Sequence, residues 1–257
     1  MKKLGLLIGI SSALLGVCIH AESDIGTAAK GGHPEYVFIS KVPKADAEVT
    51  ARLLAQALAK GRLIIFSYME KLTDPTLGDK GFTADYFAEQ WIAMMAQDLI
   101  NLTPEQQQIF DKMVVAGKQS IANNQQRLNL KGVKWKNFLP ATWARETGDI
   151  LKTSTGIVIK QPTIHYRHPA NAPDALEKDI LVKFTQPNYD DTPHGVFTTM
   201  GKQPVYRYFE SVRLMQPCLV CHGKPKGELD MLGFEKDGLE NNDVIGAFSV
   251  TVGISEE

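Results

Sequence analysis

Cysteine is scarce in this chain. Of 257 residues only three are cysteine: Cys18, Cys218 and Cys221. The first lies in the opening stretch MKKLGLLIGISSALLGVCIHAESD, where Lys2 and Lys3 precede an apolar run from Leu4 to Val17. That run is shorter than the roughly 20 residues a membrane-spanning helix needs. It reads as a secretory signal peptide, residues 1–21, cut after Ala21. With that cut Cys18 is removed, and the mature chain keeps one cysteine pair. A disulfide framework is then excluded, as is a second cysteine-rich metal site.

Other absences narrow the field further. No later segment is apolar enough to cross a membrane. The formal charge is −1, from 28 Lys and Arg against 29 Asp and Glu. The two signs are interspersed, so the basic stripe that nucleic acid would require is missing. There is no low-complexity segment, no glycine-rich phosphate loop, and no serine or cysteine nucleophile in a catalytic setting. The expectation is an exported protein of the bacterial periplasm, with no nucleic-acid partner and no membrane contact once the signal is gone.

What is present falls into two textures. Residues 22–43, with Gly31, Gly32, Pro34 and Pro43, read as a loose lead-in. From Lys44, Leu54, Leu58, Ile65, Met69 and Leu72 recur at helical spacing. Asp46 and Glu48 favour the start of that helix, and Pro75 and Gly78 end it. A second helix is predicted from Ala84 to Leu99. A third begins with Thr103 as N-cap and Pro104 in the first turn, and runs to about Arg127. The stretches from Gly61 and from Gly117 echo one another, matching Lys80 with Lys136, Phe82 with Phe138 and Phe87 with Trp143. Two copies are too few for a solenoid and read as two helical hairpins.

After Leu151, TGIVIKQPTIHYRHP is rich in β-branched residues and reads as one or two strands. A short helix opens at Pro173-Asp174, and two strands flank a turn at Gly201-Lys202. A last strand places Val244, Gly246, Phe248, Val250, Val252 and Ile254 on one face. Helices followed by strands predict an α+β fold: a helical part over 44–151 and an antiparallel sheet over 152–257.

The chemistry concentrates in RLMQPCLVCHGKPKG, where Cys218 and Cys221 are separated by two residues and His222 follows directly. A structural zinc site would need a second ligand pair, which the sequence lacks. A thioredoxin-like dithiol would need a long helix after the first cysteine, and Gly223, Pro225 and Gly227 prevent one. A plain disulfide leaves the histidine without a purpose. Haem c answers every feature. Two thiols so spaced reach the two vinyl groups of one porphyrin edge, and the next imidazole binds the iron. One covalently attached haem is expected, with Cys218 and Cys221 as thioethers and His222 as proximal ligand.

FLPATWA (138–144), RHPANAPDALEK (167–178), CLVCHGKP (218–225) and GAFSV (246–250) occur in that order. The set resembles the bacterial secreted c-type haem domain family, whose members stand alone or form the sensing ends of histidine kinases. The resemblance implies a PAS-like antiparallel sheet behind an N-terminal helical region. The family's usual Arg-Asn-Pro is here Arg167-His168-Pro169. One branch of the family takes its second axial ligand from a cysteine on the N-terminal helix, and the mature chain has none there.

The sixth ligand is therefore open among Met69, His168 or His165, and water or a gas. Were TIHYRHP a strand, His165 and His168 would lie on opposite faces, and at most one could meet the haem. Arg167 is a candidate partner for a haem propionate. Three roles follow: a sensor of redox state or of a diatomic gas that signals through a separate partner, an electron carrier with a redox partner protein, or a peroxidase using His165 and Arg167. No further catalytic signature supports an enzyme.

Overall fold

The computed structural model describes residues 36–255. The signal peptide expected at 1–21 and most of the lead-in lie outside them. The remainder is a mixed α+β fold: a helical layer, a five-stranded sheet, and one further helix on the sheet's other face.

Helix α1 (Ala47–Ser67) and a short continuation α2 (Met69–Thr73) replace the single helix expected from the stripe. Tyr68 interrupts it with φ −96° and ψ 0°, and its ring packs on Phe82 and Tyr86. Helix α3 (Ala84–Met95) is shorter than predicted. Helix α4 (Pro104–Leu128) starts with a full capping box: the Gln106 amide donates to the Thr103 hydroxyl, and the Thr103 amide donates to the Gln106 side chain. Helix α5 (Pro140–Thr155) stops at Gly156, whose φ of 77° suits glycine. A side chain there would also meet the Val37 carbonyl.

The echo between Gly61 and Gly117 has a structural meaning. Trp143 and Trp91 are fully buried against α1 and α4 because the facing positions are glycine. A methyl group at Gly61 would lie 2.1 Å from the Trp143 ring, and one at Gly117 would lie 2.4 Å from Trp91. Trp91 and Trp143 meet edge to face at 5.1 Å, as do Phe87 and Trp143. Lys80 and Lys136 are both buried, their ammonium groups on backbone carbonyls: Leu77 and Gly78 for the first, Leu72 for the second. Each hairpin thus repeats helix, lysine-stapled loop, buried phenylalanine, helix.

The sheet is built around its last strand. Strand β1 (Lys41–Val42) pairs in parallel with β5 (Val244–Ile254), and β2 (Val158–Lys160) pairs with it antiparallel. Strands β3 (His194–Met200) and β4 (Gln203–Arg213) form the predicted hairpin, and β4 lies antiparallel along the length of β5. Because β1 is parallel, the sheet is mixed rather than purely antiparallel. Strand β5 is buried on both faces, not on the one the alternation suggested. Phe248, Val250, Val252 and Ile254 enter the core shared with the helical layer. Ala247 faces α6 (Ala175–Phe184) with Ile180, Leu181 and Phe184, while Ser249 donates to the buried Glu177.

Two expectations need correction. The part of the lead-in that is described is docked, not loose. The Tyr36 hydroxyl donates to the Gly156 carbonyl at 2.7 Å, the Ile39 and Ser40 amides donate to Thr155, and Phe38 is buried against Gly253. TIHYRHP is not a strand either. After β2 the chain leaves the sheet at Gln161-Pro162, turns at Ile164-His165 and continues as a loop with a 3-10 turn at Pro169–Asn171. Proline cannot donate to a ladder, which removes the β pattern there.

Two tests follow. Alanine at a helical glycine normally stabilises by up to about 1 kcal/mol, but Gly61→Ala and Gly117→Ala should each destabilise by about 1–3 kcal/mol through overpacking of the tryptophans. Urea unfolding reads the sign directly. His194, at the start of β3, has its pKa lowered from 6.5 by burial and by Lys183. A folded-state value below the unfolded one means that the fold favours the neutral ring. That contribution is complete above pH 6.5 and is lost as the pH falls through the lower folded value. The stability gap between the wild type and His194→Asn should narrow over that window, as urea midpoints across a pH series would show.

Candidate functional site

The paired cysteines sit where β4 leaves the sheet. The Leu214 amide donates to the Asp243 carbonyl and the Asn242 amide donates back, which pins both ends of the loop that follows the motif. A 3-10 turn at Gln216–Cys218 leads into the four-residue helix α7 (Leu219–His222). One helical turn is all that Gly223 allows. Its backbone amide donates to the Leu219 carbonyl, and a side chain there would collide with that same carbonyl. Cys218 and Cys221 are half-buried free thiols. Burial first, and nearby Asp230, raise the Cys221 thiol above its usual range.

His222 is oriented by a carboxylate. Its Nδ1 lies 2.5 Å from Asp237. Burial, its largest influence, lowers the imidazole pKa below 6.5 against the upward pull of Asp237. The ring is then neutral at pH 7, with the Nδ1 proton donated to Asp237 and the Nε2 lone pair free. This is the tautomer a metal-binding histidine requires.

Arg167 is placed differently from its expected role. Its guanidinium donates to Asp230 at 2.7 Å, to the Cys221 carbonyl at 2.8 Å, to the Glu235 carbonyl at 2.9 Å and to Asp237 at 3.3 Å. It also lies over the Phe234 ring. Both terminal nitrogens are committed to protein, so Arg167 ties the downstream loop to α7 rather than offering itself to a propionate. Burial works upward on Asp230, but the amides of Phe234 and Leu232 and the Arg167 charge outweigh it and hold that carboxyl low.

A cavity of about 380 Å³ opens beside His222, within the range of small-molecule sites. Helix α1 supplies Arg62, α5 supplies Ala141, Thr142 and Arg145, and β5 supplies Ile245 to Ala247. The loop after β2 brings His165, Arg167 and His168 to the same cavity. The two histidines do not diverge as they would on a strand. They are not equivalent, however. His168 Nδ1 accepts the Ala170 amide at 3.2 Å, which leaves the proton of the neutral ring on Nε2. His165 is exposed and borders a second hollow as well. Met69 packs against the main hydrophobic core and does not line the cavity.

Arg62, Arg145 and Asp237 were missed in the sequence. Arg62 left a signal: it falls four residues after Leu58 and three before Ile65, so a charge interrupts the apolar stripe. Asp237 left none, since it reaches His222 across a glycine- and lysine-rich loop.

Among the described residues, no helix is long and apolar enough to cross a membrane. None of the curated proteins compared matches the chain. Among solved structures, the cyanobacterial heme-protein Tll0287 is similar at 19% identity, over 61% of this chain and 99% of that one, with a TM-score of 0.38. The model of the Tll0287-like family matches residues 44–253, from the start of the helical layer to the end of the central strand. On that match the chain belongs to the Tll0287-like family.

Proposed function

We propose that this is a periplasmic protein carrying one covalently attached haem c, which senses redox state or a diatomic gas within a PAS-like fold. The observation that carries the reading is His222: one turn after Cys218, neutral, fixed by Asp237, and lining the cavity. His222 offers one nitrogen, and a porphyrin would bring the further donors with its metal. The largely apolar lining suits a flat apolar ring. Once bound, the haem supplies a redox-active iron able to take an axial ligand. The haem protein in the same family is consistent with this. Export through residues 1–21 is part of the proposal.

What the chain's own residues contribute can be stated separately. Cys218 and Cys221 hold the ring edge. His222 holds the metal, and Asp237 raises the basicity of that imidazole. Arg167 keeps Asp237 and α7 in register. Met69 does not line the cavity and His168 Nδ1 is spent as a cap, so neither of these would be the metal's further donor, which favours a small ligand in that role. The run β3–β4–β5, with α1 on one face and α6 on the other, supports the PAS-like expectation. Electron transfer is the second reading, favoured by His165, whose ring borders the cavity without a hydrogen bond among the described residues. The peroxidase reading loses its distal arginine, because Arg167 is already engaged.

Expression in a strain able to mature cytochromes should give coloured protein with the mass of one added haem. Cys218→Ala with Cys221→Ala should abolish the increment. Colourless wild-type protein without added mass would end the proposal. Carbon monoxide should change the reduced spectrum if the position is open, and an indifferent spectrum would favour the carrier. Asp237→Asn should raise the midpoint potential, because a less basic imidazole stabilises oxidised iron less. An unchanged potential in a redox titration would remove Asp237 from the site.

A further inference from the structure

The cavity contains two guanidinium groups that no carboxylate answers. Four formally charged side chains line it: Arg62, Arg145, Arg167 and Asp237. Arg167 and Asp237 are paired with one another and with Asp230 or His222. Arg62 and Arg145 make no hydrogen bond or ion pair among the described residues. Arg62 lies over the Phe248 ring, 5.2 Å from the guanidinium carbon, and within electrostatic reach of the Cys218 thiol. A cation over an aromatic face recovers only a fraction of what water or a carboxylate would give. Burial lowers the Arg62 pKa to about 10, which still leaves it charged at neutral pH.

A buried acceptor lies in the same wall. Gln161 is only 9% exposed, and its Nε2 donates to the Ala141 carbonyl at 3.1 Å. Its Oε1 is buried and has no donor. Buried polar atoms are ordinarily satisfied, and this oxygen, an acceptor, calls for a donor and not for a carboxylate. A water bridging from the occupant's polar edge would satisfy it.

We infer that Arg62 and Arg145 receive the two carboxylates of a single ligand, the propionates of the haem held by His222. The inference rests on the haem reading above and moves the propionate role from Arg167 to two residues on α1 and α5. Two uncompensated positive charges match two carboxylates in number. A guanidinium is suited to a carboxylate edge in a way that an ammonium is not.

The test uses the full chain made without the cytochrome maturation machinery, titrated by absorbance with haemin and with haemin dimethyl ester, whose carboxylates are blocked. The free acid should bind about 10–100-fold more tightly than the ester, the span expected for charge-assisted hydrogen bonds. Arg62→Gln combined with Arg145→Gln should erase that preference, bringing free-acid and ester affinities together. Arg167→Gln should not erase it. Equal affinity of the two porphyrins for the unsubstituted chain would overturn the inference by itself, with no need for an arginine variant that folds. So would a preference that survives both arginine substitutions. Failure of the chain to bind either porphyrin, together with absence of covalent haem from matured protein, would instead overturn the haem reading and this inference with it. Binding of both porphyrins without discrimination leaves the haem reading standing and sinks only the carboxylate seats.

Discussion

The contact on which the arrangement depends is between a tryptophan and an absent side chain. Trp143 fits against α1 only because position 61 carries no Cβ, and position 117 on α4 leaves room chiefly for Trp91, on which Trp143 packs. That fit sets the separation of α1 from α5. Arg62 follows Gly61 directly, and Arg145 stands two residues beyond Trp143. The packing that fixes the helices therefore also fixes two guanidinium groups in the wall of one cavity. A purely apolar requirement, close packing of an indole, ends up placing charge in the cavity wall.

The other side of the cavity is held by charge. The short helix α7 is too small to be stable by itself, since isolated helices need roughly a dozen residues or more. Its position comes from Arg167, which bonds the Cys221 carbonyl, and from the Leu239 amide, which bonds the His222 carbonyl. Asp230 and Asp237 neutralise Arg167 while Asp237 also orients His222. The half-exposed thiols and the imidazole are thus presented by a loop whose order is a hydrogen-bond network rather than a core.

Features written in local chemistry were legible in the sequence. The capping residues Thr103 and Asp174, the turn at Gly201-Lys202, the apolar stripe of α1 and the spacing of Cys218, Cys221 and His222 all act over a few residues. The echo around Gly61 and Gly117 was visible too, although its purpose, making room for Trp143 and Trp91, is tertiary. Features that depend on distant partners were not legible. Residues 36–43 look like a tail until they meet Gly156 and β5. TIHYRHP looks extended because β-branched residues favour strands, but Pro162 before it and Pro169 at its end leave it without a ladder. Arg167 looks like a free cation until the loop some sixty residues away folds against it. Asp237 has no pattern that would identify it before the loop closes.

Strand β5 makes pairings with β1, β2 and β4, yet it is the last strand in chain order. Nothing of the sheet except the β3–β4 hairpin can close before it is synthesised, because such long-range pairing waits for both partners. Cys218 and Cys221 emerge ahead of it. For that interval both thiols belong to a chain whose helical layer can already exist and whose sheet cannot. Any modification that needs them on an open backbone has its opportunity built into the order of the strands.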